Sequence, residues 1–408
     1  MSPRFSAPLL EDKSFRQLAM ALGAAEGQVR IVGGAVRDTL LGLPLEDVDL
    51  ATPLLPDEVT RRAETLGAKV VPTGIAHGTV TVIYRDQVYE VTTLRRDVST
   101  DGRRATVAFS QDWREDAARR DFTINALYAD PLSGEIADYF EGLADLEARR
   151  VRFIGDAGAR IAEDYLRILR YFRFHARFGE GPLDPQAFAA VSRDADRMMG
   201  LSRERIADEL LKLLALPDPV PTLALMEEGR IWRAVNPEAD GASVTRVARL
   251  TANERESGTS PDAVRRLIAF LPEAPETAAL IASKLKLSNA MRKRIARVRG
   301  ESAGALALNP RTLAHRIGQD AALDLWLILG AGEPLHAAIA ALTGWQVPRL
   351  PIGGGAIVAR GVAKGPEVAR LLQQVEQQWV AEGFPGLDRV EAIADQAVAE
   401  RNESSRNA

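Results

Sequence analysis

The sequence predicts an α+β fold: a small mixed-sheet head over residues 1–155 followed by a helical remainder. Three observations carry that prediction. Residues 1–155 mix short β-like runs with turn residues and short helices; the rest is dominated by Ala, Leu, Arg and Glu at helical spacing; and 408 residues with 46% hydrophobic content can build more than one core.

Taken in order, Val29 to Val32 reads as a strand that runs into Gly33-Gly34, with a helix through Arg37 to Leu41. Asp47 to Ala51 is a second short strand. Gly78 to Tyr84 and Val88 to Leu94 alternate apolar and polar residues on either side of Arg85-Asp86-Gln87, which predicts an antiparallel hairpin. The sheet is therefore at least partly antiparallel. Tyr165, Ile168, Leu169 and Phe172 follow i, i+3, i+4, i+7 spacing and predict an amphipathic helix over 159–178. Further helices are expected over about 203–215, 221–234, 262–271, 289–299, 311–317, 320–329 and 365–382. Pro217-Asp218-Pro219 and Gly353-Gly354-Gly355 read as joints between segments, and the polar last ten residues read as frayed. No fixed-period repeat is present.

Composition excludes several function classes. Lys+Arg 52 against Asp+Glu 56 gives a net charge of -4, so any surface that binds a polyanion must be local. The absence of cysteine removes disulfides, thiol catalysis and Cys-ligated metal centres, and it favours a reducing compartment. The four histidines, at 77, 175, 315 and 336, are not paired at ligand spacing, which argues against a histidine-rich metal centre. No signal-type N-terminus and no uncharged apolar window long enough for a membrane helix is seen, so a cytoplasmic protein is expected.

Two motifs then stand together. On a strand, Asp47 and Asp49 of Asp47-Val48-Asp49 project from one face, and such a pair can grip hard cations. Upstream, Gly33 and Gly34 end a strand and open a helix, where backbone N–H groups can approach an anion, and Arg37 lies one turn in. Either motif alone reads as ordinary structure. A phosphate cradle preceding two carboxylates reads as a triphosphate and metal site, with Mg²⁺ held through one or two carboxylates plus phosphate oxygens.

Further motifs follow in the chain. Gly33-Gly34-x-x-Arg37-Asp38, Asp47-x-Asp49-Leu-Ala-Thr52, Arg119-Arg120-Asp121-Phe-Thr-Ile-Asn125-Ala126, Asp138 to Leu146 and Glu163-Asp164-x-x-Arg167 come in that order. Together they resemble the bacterial-type CCA-adding tRNA nucleotidyltransferase and poly(A) polymerase family. The likeness covers roughly residues 30–178 and extends into Leu201 to Leu210.

The resemblance implies a nucleotidyltransferase head over 1–155, a helical neck over 156–216 with a base-selecting helix, and a helical body and tail over 217–408 that hold RNA. It implies that Asp47 and Asp49 hold the metals of a two-metal nucleotidyl transfer, with Mg²⁺ as cofactor. Glu90 matches the place of a third carboxylate; a solvent-facing glutamate in an alternating strand is the other reading. Arg120, with Asp121 and Asn125, implies a sugar and phosphate grip, whereas Arg119 can be a surface cation.

Asp164 and Arg167 lie three apart on the predicted helix, beside its apolar stripe. A carboxylate only accepts and a guanidinium only donates, so the pair matches the base edges of cytosine and adenine and opposes those of uracil and guanine. The competing reading is an i, i+3 surface ion pair. Arg170 and Arg173 continue around the helix toward phosphates or snorkel at its surface.

Between Ile281 and Gly300 stand seven basic residues and no acidic one: Lys284, Lys286, Arg292, Lys293, Arg294, Arg297 and Arg299. They read either as a contact for RNA phosphates or as a solvated helix face. His77 reads as a turn residue or as part of the site wall. The expected function is template-independent addition of C, C and A from CTP and ATP to the tRNA 3′ end. The partners are then tRNA, CTP and ATP, with no membrane and no protein partner. Two alternatives remain open: a poly(A) polymerase, against which stand Leu43 to Glu46 and a C-terminus without a strongly basic tail, and a non-catalytic RNA-binding relative.

Overall fold

The computed structural model describes residues 3–100, 105–235 and 241–406. The chain forms two compact units, Met1–Asp240 and Gly241–Ala408. The first carries a seven-stranded sheet and the second is helical, so the α+β expectation holds.

In the first unit, helix α1 (Lys13–Ala21) precedes strand β1 (Arg30–Val32), which ends at Gly33 and passes into helix α2 (Gly34–Leu40). Gly33 has a φ of 69°, a conformation that favours glycine, and it lets the chain turn sharply from strand to helix. Strand β2 (Asp49–Thr52) lies beside β1, and helix α3 (Pro56–Thr65) leads to β3 (Lys69–Gly74), β4 (Thr79–Tyr84) and β5 (Gln87–Thr93). Asp47 is not on the strand as expected. Strand β1 is short and pairs only with Leu50 and Ala51 of β2, and the register with β5 starts at Asp49, so the residues before Asp49 have no ladder to join.

The β4–β5 hairpin forms with a tighter turn than the sequence suggested. Tyr84 pairs with Gln87, and Arg85 and Asp86 both adopt positive φ, as a two-residue turn of this handedness requires. A separate hairpin of β6 (Arg95–Thr100) and β7 (Ala105–Phe109) comes next, then helix α4 (Trp113–Ala118), β8 (Leu127–Ala129), β9 (Ile136–Asp138) and helix α5 (Gly142–Glu147). The sheet order is β3-β4-β5-β2-β1-β8-β9, with β2 and β5 parallel and the other neighbours antiparallel. Val32, Ala51, Leu94, Ala126 and Tyr128 form a buried cluster beneath the strand ends.

The predicted helix over 159–178 is two helices, α6 (Ala157–Glu163) and α7 (Arg167–Phe178). Between them Asp164 is extended, and its Oδ1 accepts the Leu166 N–H at 3.1 Å. That local bond competes with helix continuation, and the apolar spacing that starts at Tyr165 belongs wholly to the second helix. Helix α7 is locked down by rings: Phe122 packs against Phe174 with centroids 5.1 Å apart, and Tyr171 stacks on Phe153 at the same separation.

Helices α8 (Pro185–Asp194), α9 (Arg203–Leu214), α10 (Val220–Glu228) and α11 (Trp232–Val235) complete the unit. The helix expected over 221–234 breaks at Gly229-Arg230, where Arg230 takes a positive φ that helix cannot accommodate.

The second unit runs through α12 (Gly241–Glu256), α13 (Ala263–Phe270), α14 (Pro275–Lys284), α15 (Asn289–Arg299), α16 (Pro310–Ile317) and α17 (Gln319–Leu329). It ends with α18 (Gly332–Leu342), α19 (Gly354–Ala359), α20 (Pro366–Ala381) and α21 (Leu387–Arg406). Of the last ten residues, expected to fray, 399–406 continue the last helix, which Val390, Ile393, Ala394 and Ala397 seat upstream on Trp379 and Val375; 407–408 lie outside the described residues. Among the described residues no helix is long and apolar enough to cross a membrane.

Candidate functional site

A cleft of about 470 Å³ opens in the first unit. It is lined by Gly33, Gly34 and Arg37 at the β1–α2 turn, Asp49 at the start of β2, Arg119, Arg120, Asp121 and Asn125, and by Asp164, Arg167, Arg170 and Phe174 from α7 and the linker before it. A Cβ on Gly33 would stand 3.4 Å from the Arg120 guanidinium, an ordinary contact, so it is the positive φ that favours glycine here.

The acids meet on the sheet. Asp49 and Glu90 are register partners across the parallel β2–β5 pair. Solvent reaches Asp49 through the cleft mouth, yet its crowded setting desolvates the carboxyl and, with Glu90 and Asp47 nearby, holds its pKa above the usual range; Arg120 opposes that shift. Among the described residues no three acidic or histidine side chains form a ready metal cage. The donor set fits Mg²⁺ nonetheless, since that ion keeps several waters and needs only one or two carboxylates when phosphate oxygens complete its shell.

The cations are held in a continuous polar chain. Asp116, fully buried, accepts from Arg119 Nε at 2.8 Å, Arg120 Nη2 at 3.1 Å, the Tyr128 hydroxyl at 2.7 Å and the Arg95 backbone N–H at 3.1 Å. Burial alone would raise its carboxyl, but Arg120, Arg119 and the Tyr128 hydroxyl bring it down to about 2. Asp121 accepts from Asn125 Nδ2 at 3.0 Å and Arg170 Nε at 2.8 Å. Burial pushes Asp121 up, and the Arg170 charge with these hydrogen bonds more than reverses it, leaving the carboxyl below its ordinary range. Arg37, buried, donates to Asn125 Oδ1 and to Asp38 at 2.7 Å.

Asp164 and Arg167 share the cleft without sharing a helix face. The competing reading, an i, i+3 ion pair, is not met, because the helix breaks between them. Asp164 Oδ2 instead accepts from Arg205 at 2.6 Å. Arg167 pairs with Glu163 and donates to the carbonyls of Arg160 at 2.8 Å and Arg119 at 3.2 Å.

Other expected site residues lie elsewhere. Arg173 is off the cleft wall, held by Glu209 at 2.6 Å and lining a separate depression with Arg177 and Lys212. His77 ends an exposed one-turn helix, and its carbonyl accepts from Arg95 at 2.6 Å. In the second unit, Lys284, Lys286, Arg292, Lys293 and Arg297 are exposed. Arg294 and Arg299 are not part of that surface: Arg294 binds Asp324 at 2.6 Å and Asp262 at 3.2 Å, and Arg299 is buried against the carbonyls of Ile268 and Leu271. Helical periodicity decides this, since Arg299 falls on the same face as Ile295. Burial, then Arg246, pulls the Arg299 guanidinium down to about 10.

Sequence reasoning missed Arg119 and Phe174 as cleft residues, and Asp116 and Arg205 as partners of residues that line the cleft. Asp116 had a visible signal, because it stands three and four residues before Arg119 and Arg120. Arg205 lies within the Leu201 to Leu210 stretch of the resemblance, but nothing there points to Asp164, which is distant in the chain.

Residues 29–152 match the poly A polymerase head domain, and residues 182–242 match a family described as the probable RNA and SrmB- binding site of polymerase A. The mitochondrial CCA tRNA nucleotidyltransferase 1 of Mus musculus is 33% identical over 396 residues, covering 94% of this chain and 89% of that protein. A CCA-adding enzyme of Levilactobacillus brevis is 33% identical over 385 residues, covering 91% and 94%. The crystal structure of the Bacillus stearothermophilus CCA-adding enzyme in complex with CTP matches with a TM-score of 0.77 at 26% identity, covering 99% of this chain and 100% of that one.

Proposed function

The chain belongs to the class II CCA-adding tRNA nucleotidyltransferase and poly(A) polymerase family and is a nucleotidyltransferase, and from that premise we propose that it adds C, C and A from CTP and ATP to the tRNA 3′ end without a template. The observation that carries this reading is that Asp164 and Arg167 line the same cleft as Asp49, so a base can be read while its triphosphate lies among the charged groups.

In that reading Arg119 and Arg120 bind the triphosphate, their geometry fixed in advance by buried Asp116. The backbone turn at Gly33-Gly34 lies beside them, and Asp121 and Asn125 face the sugar. Asp49, with Glu90 and Asp47, would hold Mg²⁺. When bound, the ion stabilises charge developing on the phosphoryl group and on the attacking and leaving oxygens. The tRNA 3′-hydroxyl oxygen attacks the α-phosphorus and gives up its proton to water, the bond to the bridging oxygen breaks, and pyrophosphate leaves with that electron pair.

Asp164 accepts from the exocyclic amino group of cytosine or adenine. Arg167 donates to the adjacent ring nitrogen. Uracil and guanine present a carbonyl to the carboxylate and an N–H to the guanidinium, which leaves polar groups opposed in the site. On the second unit, the exposed cations Arg292, Lys293 and Arg297, with Lys284 and Lys286 nearby, bind tRNA phosphates.

The test supplies purified protein with tRNAs ending at the discriminator base, at C and at CC, with each NTP singly and then CTP plus ATP. Products are sized on a gel. Growth that stops at CCA supports the proposal. Unbounded AMP addition to diverse RNA ends would mark a poly(A) polymerase, and no addition would mark a non-catalytic relative.

A further inference from the structure

Asp164 sits in the extended linker between α6 and α7, so no helix geometry fixes its side chain. Two contacts do. One is local: the Leu166 N–H bound to Oδ1 moves with the linker itself. The other comes from outside, because Arg205 Nη2 reaches Oδ2 at 2.6 Å from helix α9.

Helix α9 is a firm support for that reach. Ser202 Oγ caps it by accepting the Arg205 N–H at 3.3 Å, and Ile206 and Leu210 are buried on the residues that follow. One turn beyond Arg205, Glu209 binds Arg173 at 2.6 Å, so α9 grips α7 and the linker before it through two opposite charges four residues apart. Each carboxylate oxygen has two accepting positions. Leu166 and Arg205 together occupy one on each oxygen, which orients the Asp164 carboxylate while leaving it able to accept from a base amino group.

We propose that Arg205 is a positioning residue for base selection, holding the Asp164 carboxylate in the orientation that reads cytosine and adenine. The inference rests on the assignment of Asp164 as a base reader. Arg205 is 42% exposed and Asp164 29%, so their ion pair adds little to stability and its removal leaves the fold standing.

The experiment measures kcat and KM for CTP, UTP and GTP on a tRNA ending at the discriminator base, with melting temperature alongside. The proteins are wild type, Arg205→Ala, Arg205→Lys, Asp164→Ala and the double variant Asp164→Ala/Arg205→Ala. Arg205→Ala should raise UTP and GTP use relative to CTP on the order of 10-fold, mainly through KM, without a shift in melting. Arg205→Lys should recover part of that selectivity. In the Asp164→Ala background, loss of Arg205 should change selectivity no further, because the two act through one contact.

Unchanged selectivity in Arg205→Ala beside relaxed selectivity in Asp164→Ala overturns the inference and leaves the base-reading assignment intact. Unchanged selectivity in Asp164→Ala removes both. Further relaxation in the double variant shows that Arg205 acts other than through Asp164, which also overturns the inference.

Discussion

In the first unit each arginine on the cleft wall is tied to a fixed acceptor: Arg37 to Asp38, Arg119 and Arg120 to Asp116, Arg167 to Glu163, and Arg170 to Asp121. On α15 of the second unit Arg294 and Arg299 are tied in the same manner, whereas Arg292, Lys293 and Arg297 stand exposed. On the proposed function the two regions hold cations for different ligands. A guanidinium braced by a buried acid meets a ligand of one shape without reorganising, while exposed cations on a helix can follow a phosphate backbone in several registers.

The sharpest way to break that comparison is at the acids that stand outside those ion pairs. Asp49→Ala and Asp47→Ala should each abolish nucleotide addition, to below about one-thousandth of the wild-type rate, while thermal melting stays within a degree or two. Turnover near wild type with Mg²⁺ present would remove them from the reaction.

Asp116 tests the braced half. Asp116→Ala strands two arginines and should destabilise the first unit by about 3–5 kcal/mol, read by denaturant unfolding. Its carboxyl is depressed from 3.8 to about 2, so its contribution is fully present above the unfolded value and is lost as pH falls toward about 2. The stability gap between wild type and the Asp116→Asn variant should therefore narrow over that window. A gap that stays constant would mean the charge on Asp116 is not what braces the arginines.

Base choice is the next largest effect. Asp164→Ala and Arg167→Ala should each raise UTP or GTP incorporation relative to CTP by about 10- to 100-fold, and the double variant should fall short of the product of the two. Loss of overall rate with CTP and ATP preference intact would return both residues to structural roles.

The smallest expected effect sharpens the second region. Reversing Arg292, Lys293 and Arg297 to Glu should weaken tRNA binding and flatten its log–log salt dependence by about 0.7–0.9 per lost phosphate contact, with NTP affinity unaltered. Arg294→Ala should instead lower the melting temperature, because it takes one of two guanidinium partners from the fully buried Asp324 and leaves Arg265 alone beside it. Equal tRNA affinity at low salt in the triple variant would make the exposed cations a solvated face only.

Much of this was legible in the sequence, because local signals carry local structure. The strand into Gly33-Gly34, the β4–β5 hairpin and the helix from Arg203 follow from turn residues, alternation and apolar spacing over a few positions. The ordered motifs likewise located nearly the whole cleft wall. What stayed hidden was pairing across the chain. Nothing near Asp164 announces Arg205, and the apolar spacing from Tyr165 onward cannot report that a separate helix ends just before it. The seven cations of 281–300 looked alike as a count, and only the positions of Asp262, Asp324 and the Ile268 and Leu271 carbonyls separate the structural pair from the exposed ones.

The parallel pairing of β2 with β5 bears on how the molecule reaches its working state. Asp49 and Glu90 are neighbours through that ladder, and it joins strands separated in the chain by α3, β3 and β4. Hairpins and helices can form from nearby residues, but this closure must await the docking of a large segment, and such long-range contacts are slow to form. A refolding chain should thus regain its helical circular dichroism before its first nucleotide addition, with turnover marking the moment when the sheet closes.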